Sequence, residues 1–119
     1  MKTRVVLAAP GEEPLAAEVE NDFGTFRTLL RGYAEMIATP FRHIYVAVKE
    51  DMELRQYAPN FWLGDTLIRG ECIFFSIEET IHEKQILKIM GKIKEGRNGR
   101  SFEEKRKNDE TCLSCSSRA

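Results

Sequence analysis

The chain has 119 residues, of which 42% are hydrophobic and 31% are charged, and its formal net charge is −1. This length fits a single domain that buries roughly two thirds of its unfolded surface without metal or disulfide support. The near-zero net charge excludes a polyanion mimic and a nucleic-acid binder that is basic throughout.

Basic and acidic residues are unevenly distributed along the chain. Residues 1–95 contain 12 Lys and Arg against 15 Asp and Glu, whereas residues 96–119 contain 6 against 4. The strongest basic bias covers 84–107, where the net charge is +6. This stretch is the candidate for attraction to nucleic acid or to an acidic partner.

Cysteine number and the position of apolar runs predict a cytoplasmic protein. The three cysteines are Cys72, Cys112 and Cys115, and secreted disulfide scaffolds usually have an even number. The first apolar run is five residues long and ends before Pro10, which is shorter than a secretory signal requires. No stretch reaches the ~20 apolar residues of a membrane span, so we expect no membrane contact.

In the first half of the chain the pattern predicts strands around one helix. Residues 5–9 and 15–20 predict a hairpin closed by a Pro-Gly turn. Asn21 or Asp22 can cap a helix over 22–31, followed by Gly32 as its C-cap. Two further strands are predicted, from Tyr33 to Ala38 and from His43 to Val48.

The second half of the chain predicts an irregular segment, one central strand and one long helix. Residues 52–65 contain the turn signals Pro59-Asn60 and Gly64-Asp65. The apolar run 72–77 predicts a central strand. Ser76 and Glu79 fit a capping box for a helix over 78–94. We therefore predict an α+β fold, with a mixed or antiparallel sheet of about four to five strands packed by the 22–31 and 78–94 helices.

The composition changes after Glu95. Residues 96–119 contain almost no apolar side chains, so they cannot bury enough surface to offset the entropy lost on ordering. We predict a single α+β domain over 1–95 and a polar, flexible tail over 96–119.

Several short motifs follow one another in a distinctive order. They are Pro10-Gly11-Glu12-Glu13-Pro14, Leu30-Arg31-Gly32-Tyr33-Ala34-Glu35, Pro59-Asn60, and Gly64-Asp65-Thr66-Leu67-Ile68-Arg69-Gly70 leading to Phe74-Phe75. Over residues 4 to about 90 this order resembles a small domain family of unknown function found in phages, plasmids and conjugative elements. Two departures are Arg31, where many relatives have glycine, and the short loop at Thr39-Pro40. The resemblance implies an accessory protein of a mobile element, one that acts against a host system.

The paired cysteines near the C-terminus do not by themselves predict a metal site. Cys112-x-x-Cys115 can chelate zinc or form a redox pair. Zinc needs four ligands, and the remaining candidates are Cys72, His43, His82 or a second chain. Because only one such pair is present, we interpret it as incidental and predict no metal and no cofactor.

No arrangement of residues predicts catalysis. His43 and His82 are the general-base candidates, and both are more simply explained as surface residues. The chain has no nucleophile elbow, no phosphate-binding glycine loop and no paired-histidine zinc motif. We therefore predict that the protein is not an enzyme.

Polar and aromatic residues around the irregular segment predict a binding surface. The candidate residues are Tyr33, Glu35, Arg55, Asn60, Phe61, Trp62 and Arg69, with Asp65 beside them. The alternative is that the aromatic side chains close the core and the polar ones lie in turns. If a partner binds here, an exposed apolar patch is expected around Phe61 and Trp62.

The basic stretch supports a different hypothesis. Four lysines lie on the predicted second helix: Lys84, Lys88, Lys92 and Lys94. With the basic tail they can follow a phosphate backbone, or they can simply form a solvated face.

The hypothesis that best fits these patterns is a non-catalytic binding protein of a mobile element. It acts by occupying a host protein, such as a defence component, in the manner of an anti-CRISPR protein. The alternatives are a small nucleic-acid-binding regulator and a nucleotide-sequestering protein.

Overall fold

A computed structural model describes residues 2–52, 54–78 and 80–98. Five of its strands form an antiparallel sheet in the order β2-β1-β7-β4-β3, and the other two form a separate hairpin. The predicted α+β fold is confirmed. The elements in chain order are β1 (Lys2–Ala8), β2 (Leu15–Glu20), α1 (Phe23–Leu30), β3 (Ala34–Ala38), β4 (Ile44–Lys49), β5 (Pro59–Leu63), β6 (Thr66–Arg69), β7 (Cys72–Ser76) and α2 (Glu83–Asn98).

Strand β7 lies at the centre of the large sheet, as its apolar sequence predicts. It pairs with β1 on one side and β4 on the other, and Phe74 lies opposite both Val6 and Val46. All five residues of β7 are buried. Both faces of this strand are covered, so its sequence is continuously apolar rather than alternating.

The large sheet separates two apolar clusters and so forms the middle of three layers. On one face, Phe26 and Leu30 of α1 pack against Val5, Ile73 and Phe75 of the sheet. On the other face, the β5–β6 hairpin and the Ile86, Ile89 and Ile93 stripe of α2 form the larger cluster. Each helix therefore covers a different face.

Helix α1 covers Phe23–Leu30, one residue shorter at each end than the predicted 22–31, with Asp22 as its N-cap and Arg31 rather than Gly32 as its C-cap. Asp22 accepts a hydrogen bond at 2.7 Å from the Thr25 backbone N–H. Arg31, rather than Gly32, has the left-handed conformation (φ 62°). The Gly32 N–H donates to the Arg27 carbonyl and the Arg31 N–H to that of Thr28, which is the Schellman arrangement. The glycine therefore follows the left-handed position, and arginine bears its strain.

The predicted irregular segment contains a strand. Residues 59–63 form β5 and pair with β6 across the Gly64-Asp65 turn. Phe61, Trp62 and Leu63 are all buried, because the hairpin lies between the sheet and α2. The alternation that would have revealed a strand is therefore missing from the sequence.

Helix α2 starts and ends later than predicted. It covers Glu83–Asn98 rather than 78–94, and Glu79 of the predicted capping box lies outside the described residues. Ser76 Oγ accepts from the Glu78 N–H in a local turn. The reciprocal bond of a capping box is made instead by Gln85, whose Oε1 accepts from the His82 N–H at 3.1 Å.

The C-terminal turn of α2, which extends to Asn98, packs against the rest of the domain. Gly96 lies against the Trp62 backbone, and Arg97 hydrogen-bonds to two other segments, β5 and the turn between β1 and β2. Residues 99–119, which include Cys112 and Cys115, lie outside the described residues. In the described part of the chain, neither helix has the length and hydropathy of a membrane span.

Candidate functional site

Helix α1 is too narrow to cover the sheet face on which it lies. It has eight residues, and a helix with its side chains is about 10–12 Å wide. Five strands place the outer two about 20 Å apart. The opposite face is covered by two elements, the β5–β6 hairpin and α2. The α1 face is therefore left open at its margins.

At one margin an apolar groove lies between α1 and the β1–β2 hairpin, with a volume of about 250 Å³. The strand register places Leu15, Leu7 and Ile73 in one row across β2, β1 and β7. Leu30 closes the inner end, and Leu29 forms the wall contributed by the helix. Leu15 is 60% exposed and Leu29 is 38% exposed. The groove thus presents leucine side chains to solvent.

The rim of the groove is acidic. Glu12, Glu13 and Glu71 are among its lining residues, which include no Lys, Arg or His. Glu71 forms an ion pair with Lys49 at 3.1 Å. Burial by itself raises the pKa of Glu71, but the Lys49 ammonium and the Glu71 backbone N–H outweigh it and hold that pKa below its usual range. Among the described residues, Glu12 and Glu13 form no ion pair.

A partly buried polar network holds the turn that carries this rim. Arg97 of α2 donates to the Ala9 carbonyl at 2.7 Å and to the Glu12 carbonyl at 2.6 Å. The same guanidinium donates to the Asn60 side-chain and backbone oxygens at 2.6 and 3.1 Å. The Asn60 amide in turn donates to the carbonyls of Ala8 and Gly70. The turn between β1 and β2 is therefore fixed to both α2 and the hairpin.

Three residues of the predicted binding surface are internal. Phe61 and Asn60 are fully buried, and Trp62 is 7% exposed. Phe61 stacks on Phe74, and Trp62 lies under α2. The expectation of an exposed apolar patch around Phe61 and Trp62 is wrong, because the hairpin turns these side chains towards the sheet and α2.

Three other predicted residues come together around the Tyr57 and Asp51 pair. Tyr33 lines a cleft of about 190 Å³ with both of them. Arg55 forms an ion pair with Asp51 at 2.8 Å, and Arg69 donates to the Tyr57 carbonyl at 3.1 Å. The bond to the Tyr57 carbonyl holds the Arg69 guanidinium against the loop, whereas the Arg55 side chain is 71% exposed beside Asp51. Two further members of the predicted set lie elsewhere: Glu35 is exposed on the edge strand β3 and Asp65 is exposed in the β5–β6 turn.

Both histidines line one small pocket of about 80 Å³. His43 has a left-handed backbone (φ 64°), and its Nε2 accepts from Arg42 Nε at 3.1 Å. The same nitrogen lies 3.7 Å from Glu78. Because Nε2 already accepts from a guanidinium, it is poorly placed to act as a general base. Within residues 2–52, 54–78 and 80–98, no group of three His, Cys, Asp or Glu side chains is arranged to hold a metal ion.

The predicted lysines lie on α2. Lys84, Lys88 and Lys94 are exposed, away from the buried isoleucine stripe. Lys92 pairs with Glu95 at 3.3 Å, and the neighbouring Arg97 is used inside the domain. The outward basic charge of the described part of α2 is therefore smaller than the sequence predicts.

Sequence reasoning missed the groove because its leucines fit the pattern of a core. Leu15 lies in a predicted strand and Leu29 on the predicted apolar face of α1. The available signal was the relation between elements, since one helix of about ten residues cannot cover a five-stranded sheet.

Comparisons of the chain with protein-family models, with curated proteins and with solved structures found no match. The groove and the motifs in the sequence are therefore the features of the chain that bear on its function.

Proposed function

We propose that this chain is a non-catalytic binding protein of a phage, plasmid or conjugative element. It inhibits a host protein, a component of a defence system, by occupying it through the groove beside α1. The observation that carries the proposal is an open apolar groove whose leucines Leu15 and Leu29 are solvent-exposed in the isolated chain.

Exposed apolar surface in a concave site is typical of surfaces that bind another protein. Leu15 and Leu29 line the same groove as the buried side chains of Leu30 and Ile73. The network of Arg97 and Asn60 fixes the adjacent turn. A surface held in place before binding loses less conformational entropy on association. The motif order in the sequence supplies the proposed origin in a mobile element.

The nucleotide-sequestering alternative concerns the loop pocket beside Tyr33 and Tyr57 rather than this groove, and a nucleotide is not suited to the groove. Its carboxylates and lack of basic side chains oppose the binding of phosphate. Its volume is also below the range of about 300–1,000 Å³ that is usual for small-molecule sites.

The exposed lysines of α2 favour nucleic-acid binding as a second candidate function. Lys84 and Lys88 are one helical turn apart and both are exposed, so they can contact neighbouring phosphates. This function predicts an affinity that falls steeply with salt and a loss of binding in the Lys84→Glu/Lys88→Glu variant.

A pull-down from bacteria that carry defined defence systems tests the proposal. The tagged chain, its Leu15→Ser/Leu29→Ser variant and a Leu87→Ser control are each incubated with nuclease-treated lysate. Leu87 is 65% exposed on α2, on the other side of the sheet. The proposal predicts that a defence protein, identified by mass spectrometry, is retained by the wild type and by the control but not by the groove variant. Retention that depends on intact nucleic acid contradicts the proposal and supports the second function.

A further inference from the structure

We infer that the groove receives a basic amphipathic segment of the partner protein, in which an apolar anchor side chain is flanked by Lys or Arg. This inference rests on the proposed use of the groove for protein binding and adds the chemistry of the partner.

The apolar part of the inference follows from the size and lining of the groove. A volume of about 250 Å³ is sufficient for one or two side chains but small for a folded surface. Leu7, Leu30 and Ile73 supply an apolar floor. An anchor that fills this space also covers the exposed parts of Leu15 and Leu29, which removes apolar surface from water on both partners.

The charged part follows from the rim. Glu12 and Glu13 are exposed, and neither has a cationic partner among the described residues. Glu71 adds a third carboxylate, although Lys49 already neutralises it. An acidic segment would bring like charges together, whereas Lys or Arg beside the anchor would complete the missing ion pairs.

The neighbouring cation does not neutralise the rim. Arg97 directs its guanidinium at the carbonyl oxygens of Ala9, Glu12 and Asn60 rather than at the carboxylates. It fixes the turn, and within residues 2–52, 54–78 and 80–98 both glutamate side chains are left without a cationic partner. A defined turn carrying two such carboxylates selects a basic segment more strongly than a mobile loop would.

The test uses three fluorescein-labelled synthetic peptides of twelve residues that share one leucine anchor and differ only in their flanking residues. The flanks are Lys and Arg, Ser and Gln, or Asp and Glu. Fluorescence anisotropy measures binding to the full chain, to the Leu15→Ser/Leu29→Ser variant, to Glu12→Gln/Glu13→Gln and to the Leu87→Ser control.

The inference predicts that the basic peptide binds most tightly and the acidic one least. The Glu12→Gln/Glu13→Gln variant should lose about threefold to tenfold of its affinity for the basic peptide, since one exposed ion pair contributes at most about fivefold. It should also lose most of the salt dependence. The groove variant should lose binding of all peptides, while the control should bind as the wild type does.

The contrary outcomes separate this inference from the proposed function. Equal binding of the three peptides, with dependence on Leu15 and Leu29 retained, overturns the basic partner but leaves the groove as a protein-binding site. Absence of binding by every peptide also overturns the inference, and the pull-down then decides the proposed function independently. If sedimentation shows a dimer that the Leu15→Ser/Leu29→Ser variant dissociates, the occupant is a second copy of the chain and the inference is wrong.

Discussion

Replacing Gly96 by alanine tests the contact that joins α2 to the rest of the domain. A Cβ at this position would overlap the Trp62 carbonyl oxygen and would lie 3.0 Å from the Trp62 nitrogen. Both are backbone atoms of a paired strand, so no side-chain rotation relieves the overlap. Helix α2 must instead move away from β5, which loosens the packing of the helix on the hairpin.

Gly91 in the same helix provides a matched control. A Cβ there meets no atom within 4 Å, so Gly91→Ala should raise the free energy of unfolding by up to about 1 kcal/mol through helix propensity. Gly96→Ala gains at most the same stabilisation from helix propensity, but the overlap with Trp62 lowers its free energy of unfolding by about 1–3 kcal/mol. Because propensity enters both variants, the difference between them isolates the overlap. We expect Gly96→Ala to be less stable than Gly91→Ala by about 1–3 kcal/mol.

Urea denaturation measures this difference directly. The chain has a single tryptophan, Trp62, which is 7% exposed and lies at the contact itself. Its fluorescence therefore reports unfolding of the relevant region, and equal slopes of the two transitions would validate the comparison. In thermal scans the same difference corresponds to a gap of at least about 4 °C for a domain of this size.

Equal stability of Gly96→Ala and Gly91→Ala would show that the last turn of α2 does not lie against Trp62. Arg97 would then not be held over the turn between β1 and β2, and the rim of the groove would not be fixed before binding.

Three further predictions concern single residues. Arg31→Gly should raise the free energy of unfolding by about 1 kcal/mol in urea denaturation, because glycine adopts the left-handed conformation without the strain of a Cβ. Arg31→Ala keeps that strain and serves as the control. An equal gain in stability from Arg31→Ala would show that relief of backbone strain is not the cause. Burial raises the pKa of the Cys72 thiol well above its usual range, so the thiol should not react while the protein is folded. In a variant with serine at both Cys112 and Cys115, iodoacetamide should fail to label the native protein at about pH 8.5, near the pKa of a free cysteine, and should label it in urea. Rapid labelling of the native protein would show that the centre of the sheet is accessible. The folded-state pKa of Glu71 is lowered, so the stability contributed by its carboxylate is present above the unfolded pKa of about 4.3 and is lost as the pH falls through the lower folded pKa. The stability difference between wild type and Glu71→Gln is less than about 1 kcal/mol, because the pair with Lys49 is partly exposed, and it should shrink below about pH 4. A difference that grows on acidification would contradict the ion pair.

Those parts of the fold that depend on local signals could be predicted from the sequence. Asp22 caps α1 as expected, and the run that starts at Cys72 forms the central strand. The hairpin of β5 and β6 could not be predicted, because Phe61, Trp62 and Leu63 are all buried and show no alternation. The hairpin is covered by both the sheet and α2, and this tertiary packing is not indicated by a local sequence pattern.

The candidate site was harder to predict because exposure is decided by the arrangement of the elements. Residue type allows Trp62 and Phe61 either a binding surface or a place in the core, and the hairpin places them in the core. Leu15 and Leu29 lie in a predicted strand and a predicted helix, yet the short α1 leaves them exposed. Arg97 belongs to the basic stretch of the sequence, but from the final turn of α2 its side chain hydrogen-bonds to Ala9 and Asn60 within the domain.

Inhibition of host defence through the groove can be measured as the efficiency of plating of a phage on bacteria that carry a defence system and express this chain. We expect the wild type and the Leu87→Ser control to restore plating on at least one system. The Leu15→Ser/Leu29→Ser variant, expressed at the same level and folded by circular dichroism, should not restore it. Equal restoration by all three proteins would show that the groove is not the inhibitory surface. Restoration by none of them on any system tested would contradict the proposed inhibition of host defence.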